Sequence, residues 1–211
     1  PIGWILLLSG IGFASAAFAP EYVGRAITLE SDLPAYELVD WLGFAVQGLG
    51  FLLLVIWLPL VFPDGRLPGP RWRPLAVGAA VFIACAAAVL LLSGRERPER
   101  LLPNPIAPEG VAGELVELLD TLITPFLIAL IALAFVSVIV RFRRADEIER
   151  QQLKWFLAAI ALLVFTVLTI QVTSGDRQGP EAFLAFSCLP IAIGIAVMRY
   201  RLYEIDRLIS R

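Results

Sequence analysis

Hydrophobic residues fall into six long runs that are separated by polar segments. Each run has 17 to 22 residues, which as an α-helix is long enough to cross the roughly 30 Å hydrocarbon core of a bilayer. None of the runs alternates with the two-residue period of a barrel strand. The runs cover residues 2–19, 41–62, 75–92, 121–140, 155–173 and 182–198. The pattern predicts an all-α fold, a single polytopic transmembrane helix bundle with about six spans.

Composition agrees with an integral membrane protein. The chain is 59% hydrophobic and only 17% charged, and its mean hydropathy is +0.81, whereas a soluble domain of this size needs more charge on its surface. There is no His, which excludes imidazole catalysis and His-based metal sites within this chain. Cys85 and Cys188 lie inside apolar runs, so we expect small buried residues and no disulfide.

Charge alternates between successive connections. The segments 63–74, 141–154 and 199–211 hold 12 basic and 6 acidic residues, and the other three connections hold 5 basic and 13 acidic residues. The positive-inside rule therefore places the first set in the cytoplasm, together with both ends of the chain.

The six runs contain no charged residue. Ion-coupled carriers and voltage sensors usually place ionisable groups within their spans, so the sequence argues against both. The five tryptophans lie near the ends of runs or beside them. An aromatic belt at the headgroup level is the simplest explanation, and a cation-binding aromatic cage is the alternative.

The first inner connection is rich in turn residues. Pro63 suits the second position of a tight turn and Gly65 its fourth, while Pro74 suits the first turn of the following helix. In the C-terminal segment 199–211, Leu202, Ile205, Leu208 and Ile209 recur at helical spacing between basic residues. This spacing predicts a short amphipathic interfacial helix at the C-terminus.

Three inner segments together resemble one family. FPDGRLP (62–68), ERQQLKW (149–155) and RYRLYEIDRLISR (199–211) are similar to motifs in the multi-pass N-terminal membrane region of a group of bacterial sensor histidine kinases. The resemblance implies a membrane input module of a two-component system in the bacterial inner (plasma) membrane. It also implies a homodimer surrounded by the lipid bilayer, with no nucleic acid partner.

The kinase chemistry is expected to lie elsewhere. The chain begins with Pro1 and ends on a charged amphipathic segment, so we expect a piece of a longer protein. In such a protein ATP, Mg²⁺ and contact with a response regulator belong to a C-terminal kinase domain. For the present chain we predict no catalytic residue, no metal and no cofactor.

The residues expected to couple the bundle to an output domain come from the three inner segments. They are Asp64, Arg66, Arg71, Arg73, Arg150, Gln151, Gln152, Lys154, Arg201, Tyr203, Asp206 and Arg207. A solvated helix junction is the simpler explanation for the second segment. For the whole chain, a transporter or channel subunit and a passive membrane anchor for another cytoplasmic signalling domain remain alternatives.

Overall fold

Every regular element in the described part of the chain is helical. A computed structural model describes residues 2–29, 33–95, 101–147, 149–158 and 160–161. Four helices have the length and apolarity to cross a membrane: α1 (Ile2–Thr28), α2 (Tyr36–Val61), α3 (Arg73–Leu92) and α4 (Gly110–Arg144). Residues 149–158 are helical as well. The all-α prediction is thus confirmed for these residues, and the chain has the character of a multi-pass membrane protein.

The remaining spans lie largely beyond this part of the chain. The run 155–173 is described only for its first residues, and the run 182–198 and the C-terminal amphipathic segment are outside the described residues. The count of six spans therefore stays a prediction.

Large apolar side chains cover the outside of the helices. Trp4, Val77 and Ile128 are 70%, 64% and 63% exposed, on α1, α3 and α4 respectively. Contiguous apolar surface of this extent is unusual on soluble monomers. These faces match a surface solvated by lipid. Cys85, which we predicted to be buried, is exposed on α3, so that prediction is wrong.

The helix α2 lies against both α1 and α3. In the most apolar 18-residue stretch of α2, 50% of the residues are buried, against 22% in that of α1 and 28% in that of α3. Glycine permits the closest approach, because a Cβ placed on Gly12 of α1 would lie 3.0 Å from the Cα of Gly50 in α2. Small residues serve the same purpose at many helix interfaces in membranes.

The first helix is longer than its apolar run. It continues through Pro20 to Thr28, whereas the sequence places these residues in an outer connection. Ala19, Val23 and Ala26 are buried at helical spacing. This short buried face continues beyond Pro20 and accounts for the extension, since packing commonly overrides a local breaker.

The helix α2 contains one wide turn. Residues Leu53–Trp57 form a π-helical turn, and the N–H of Leu58 donates to the carbonyl of Leu53. Pro59 follows directly, has no N–H, and in a regular α-helix would clash with the carbonyl four residues earlier. The widened turn accommodates that ring, which is a known cause of helix irregularity.

The contacts divide the chain into two compact units. The first contains Pro1–Val61 and Gly65–Ser137, and the second joins Phe62–Asp64 to the chain from Val138 onward. Most of α4 belongs to the first unit and its last residues to the second.

Candidate functional site

A turn follows the second run as predicted, but it is one residue wider than the expected four-residue turn with Pro63 second and Gly65 fourth. The N–H of Gly65 donates to the carbonyl of Val61 at 2.7 Å, and Gly65 has a φ of 78°, a conformation that glycine adopts without strain. The Phe62–Pro63 peptide bond is cis. Pro74 lies in the first turn of α3, as predicted. Phe62 and Asp64 belong to the second unit.

Phe62 is held by an aromatic partner from the start of the fifth apolar run. Its ring stacks on that of Phe156 with centroids 4.5 Å apart and an interplanar angle of 17°. Both side chains are fully buried. Stacked aromatic pairs contribute about 0.5–1.5 kcal/mol beyond the burial of their apolar area. This pair therefore holds the turn against the helix that contains Phe156.

Arg141 holds the backbone and the acid of the same turn. Its guanidinium donates to the carbonyl of Phe62 and, at 3.1 Å, to Oδ1 of Asp64. The Arg141 side chain is 7% exposed and that of Asp64 is 53% exposed. A carbonyl just past a helix end has no partner within the helix. A buried arginine from the end of α4 therefore satisfies it.

A capping residue begins the helix that carries Phe156. The N–H of Glu149 donates to Oδ1 of Asp146 at 2.8 Å, which is the contact of an N-cap side chain with the third helical residue. The guanidinium carbon of Arg150 lies 5.7 Å from the ring centroid of Phe142, within cation–π range. These contacts connect the end of α4 to the start of the next helix.

Within this cluster, the carboxyl of Glu149 has a raised pKa. Burial raises the pKa of its carboxyl above the ordinary value, Arg141 opposes that change, and the acids Asp64 and Asp146 raise the pKa further. Three acids and one buried arginine thus share a small region. We call Phe62, Asp64, Arg141, Glu149 and Phe156 the inner contact.

The structure brings together only some of the predicted coupling residues. Asp64 is part of the inner contact, and Arg150 lies beside it on the capped helix. Gln151 and Gln152 are half-buried on that helix, and Lys154 is exposed. Three further predicted residues, Arg66, Arg71 and Arg73, belong to the first unit and are exposed. The four remaining predicted residues, Arg201, Tyr203, Asp206 and Arg207, are outside the described residues.

Sequence reasoning missed Phe62, Arg141 and Phe156. It treated Arg141 as one of several basic residues at a helix end. In the structure Arg141 lies on the same helix face as the buried Val138 and Ala134, three and seven residues earlier, and the uniformly apolar run before it did not reveal that face.

A second polar cluster, in the first unit, surrounds the start of α2. Asp40 is 3% exposed, and its carboxylate accepts the N–H of Leu101 at 3.3 Å and that of Leu102 at 3.2 Å. A buried carboxylate needs such donors to offset its loss of hydration. Asp40 therefore fixes the α3–α4 connection to α2.

The last turn of α3 is capped by side chains. Trp41 donates its indole N–H to the carbonyl of Leu91 at 2.8 Å. Asn104 donates to the same carbonyl and to that of Ser93, both at 2.9 Å. Carbonyls at a helix end need partners of this kind, and here they come from α2 and from the α3–α4 connection.

Asp120, near the start of the fourth run, also has a basic partner. Its Oδ2 lies 3.5 Å from an Nη atom of Arg95, and its side chain is 2% exposed. Within the part of the chain that the structure describes, no three His, Cys, Asp or Glu side chains are grouped to hold a metal ion.

Each cluster joins segments that the charge pattern places on one side of the membrane. The inner contact joins the segments 63–74 and 141–154, and the Asp40 cluster joins 20–40 to 93–120.

Comparison with known proteins gave no match: no family model, no curated protein and no solved structure is similar to this chain.

Proposed function

We propose that this chain is the membrane input module of a bacterial sensor histidine kinase. In this proposal it lies in the inner (plasma) membrane with both ends in the cytoplasm and acts as a homodimer. ATP, Mg²⁺ and the response regulator belong to a kinase domain that follows in the complete protein. The chain itself performs no chemistry and passes a conformational change to that domain.

The inner contact is the observation that carries the proposal. FPDGRLP contributes Phe62 and Asp64 to the inner contact, ERQQLKW contributes Glu149 through its electrostatic interaction with Arg141 and Asp64, and Phe156 directly follows that second motif. A passive anchor needs hydrophobic spans but has no need of a buried arginine that holds an inner turn. Such a cluster suits an element that transmits a change between helices.

The positions of the charges favour this function over ion-coupled transport. Asp40, Asp120 and Arg141 are buried, and each lies near an end of its apolar run, with Arg95 or a backbone group as partner. Ionisable groups along an ion path normally lie within the spans. Proton- or sodium-driven uptake by the reconstituted chain would favour the transporter alternative.

The test uses the complete protein in membrane vesicles. A catalytic ATPase sequence downstream of Arg211 is the first requirement, and a reading frame without one rejects the proposal. Autophosphorylation from labelled ATP is then measured at matched expression for wild type and Phe62→Ala. We expect the variant to change the basal rate severalfold, because it removes one member of the stack.

Phe126→Ala is the matched control. Phe126 is a phenylalanine of α4 that is 58% exposed, so its loss leaves the inner contact unchanged. Equal autophosphorylation rates for Phe62→Ala, Phe126→Ala and wild type would mean that the inner contact does not transmit, and the anchor alternative would then stand.

A further inference from the structure

A groove lies at the start of α2, beside the Asp40 cluster. Its volume is about 510 Å³, within the range of small-molecule sites. Charge alternation places it on the outer side of the membrane. The lining residues come from the α1–α2 connection, the first turns of α2 and the α3–α4 connection; those used below are Ala35, Tyr36, Glu37, Leu38, Trp41 and Ile106.

The walls of this groove are fixed by hydrogen bonds. The indole of Trp41 is held by its bond to Leu91. The neighbouring wall is held by Asn104, which bonds to the end of α3 and accepts the N–H of Ile106 at 3.1 Å. On the third side, the hydroxyl of Tyr22 donates to the carbonyl of Pro34 at 3.0 Å. A site built in this way needs little ordering when a ligand binds.

Backbone strain is present at the same place. Ala35 has a φ of 54° and a ψ of 30°, the left-handed region that non-glycine residues rarely adopt. Its carbonyl accepts the N–H of Val39 at 3.0 Å. Strain of this kind persists where the surrounding structure enforces it, and it is common at binding sites.

The chemistry of the lining selects the ligand. Among the described residues that line the groove, Glu37 carries the charge, and Tyr36 and Trp41 provide aromatic rings. The indole N–H is already engaged, so Trp41 offers its ring. Aromatic rings beside a carboxylate attract an organic cation. A primary ammonium would require several acceptors, whereas a quaternary ammonium requires none and brings apolar surface for Leu38 and Ile106.

We propose that this outer groove binds a small quaternary ammonium compound with an apolar body. The cationic head lies between the rings of Tyr36 and Trp41 beside Glu37, and the apolar part contacts Leu38 and Ile106. That this ligand acts as the stimulus of the module rests on the proposed function. Binding itself does not.

The binding experiment uses the purified chain in nanodiscs of phosphatidylethanolamine and phosphatidylglycerol, lipids without a quaternary ammonium, and benzyltrimethylammonium as the probe, followed by ligand-observed NMR. We expect saturable binding that empty nanodiscs lack. Glu37→Gln keeps the shape of an exposed side chain and should raise Kd by at least about fivefold, the size of one cation–carboxylate or cation–π contribution. Glu21→Gln, an exposed acid outside the groove, should change Kd less than about twofold.

Two results would overturn the site: a signal equal to that of empty nanodiscs, or equal Kd values for wild type and Glu37→Gln. Binding of neopentylbenzene, the uncharged isostere, with equal affinity would overturn the selectivity for a cation. In vesicles of the complete protein, benzyltrimethylammonium should alter autophosphorylation in wild type and much less in Glu37→Gln. Binding without this effect rejects the role as stimulus, and a complete protein without kinase activity rejects the proposed function while the binding result stands.

Discussion

Phe62 and Phe156 stack with their ring centroids 4.5 Å apart, and so connect the turn after α2 to the helix that follows α4. The two residues are separated by more than ninety positions in the sequence. Both rings are fully buried, so replacing either one should have a measurable cost. Single and double replacements together give the interaction energy between the two rings.

Replacing either ring should destabilise the second unit. We expect Phe62→Ala and Phe156→Ala each to reduce the free energy of unfolding by about 3 kcal/mol, the low end for a buried phenylalanine. The double variant should show a coupling of about 0.5–1.5 kcal/mol. Denaturant unfolding in mixed micelles measures both quantities. Strictly additive effects would mean that the rings act independently.

The buried Arg141 should be far more sensitive to substitution than its neighbour on α4. Arg141→Ala leaves the carbonyl of Phe62 without this donor and should cost about 1–3 kcal/mol. Arg143→Ala alters an exposed side chain of the same helix and should stay within about 0.5 kcal/mol of wild type. Unfolding in mixed micelles compares the two. Similar losses would show that the contribution of Arg141 is only its charge at the helix end.

Close packing of α1 on α2 should make Gly12 intolerant of side chains. A Cβ there would lie 2.9 Å from the carbonyl oxygen of Val46, so Gly12→Val should cost about 1–3 kcal/mol through overpacking. Gly10→Val is the control on the same helix, since a Cβ at that position meets nothing within 4 Å. Thermal unfolding of both variants checks this, and equal midpoints would contradict the helix contact.

Glu149 should make the stability of the inner contact depend on pH. Its folded pKa is raised above the ordinary value of 4.5, chiefly by burial. Between the ordinary and the raised pKa the folded state holds more protons than the unfolded state, so stability falls as pH rises through that interval. Glu149→Gln should remove this component and so change the slope of Tm against pH in that interval.

Glu147→Gln serves as the control for that measurement, because Glu147 is exposed on the same capped helix. Thermal melts at several pH values from 4.5 to 7 should separate the two variants. An unchanged slope in Glu149→Gln would place the pH dependence on other groups.

The membrane topology can be tested by cysteine labelling in a background without Cys85 and Cys188. A cysteine at Arg66 should be protected from an impermeant reagent in intact cells, and one at Glu109 should react. Both positions are exposed, so protection would come from the membrane. The opposite labelling pattern would invert the assignment of sides.

Hydropathy was sufficient to locate the first four spans, because a span is a local property of the chain. Their ends were less predictable. Ala19, Val23 and Ala26 extend α1 beyond Pro20, and this depends on contacts that a single run does not reveal. Arg141 and Phe62 are distant in sequence, so their contact follows from tertiary packing. Asp64 was singled out because it stands in a recognisable motif, whereas Phe156 follows its motif by one position and was passed over.

The wide turn at Leu53–Trp57 changes the face of α2 on which the following side chains lie. It absorbs about one residue more than an α-helical turn of the same rise, so the positions after it are rotated by roughly 100° from those of an unbroken helix. All four residues from Leu58 to Val61 are buried, so a polar substitution at any of them should destabilise the first unit. Deleting one residue within Leu53–Trp57 should turn these side chains away from their present neighbours.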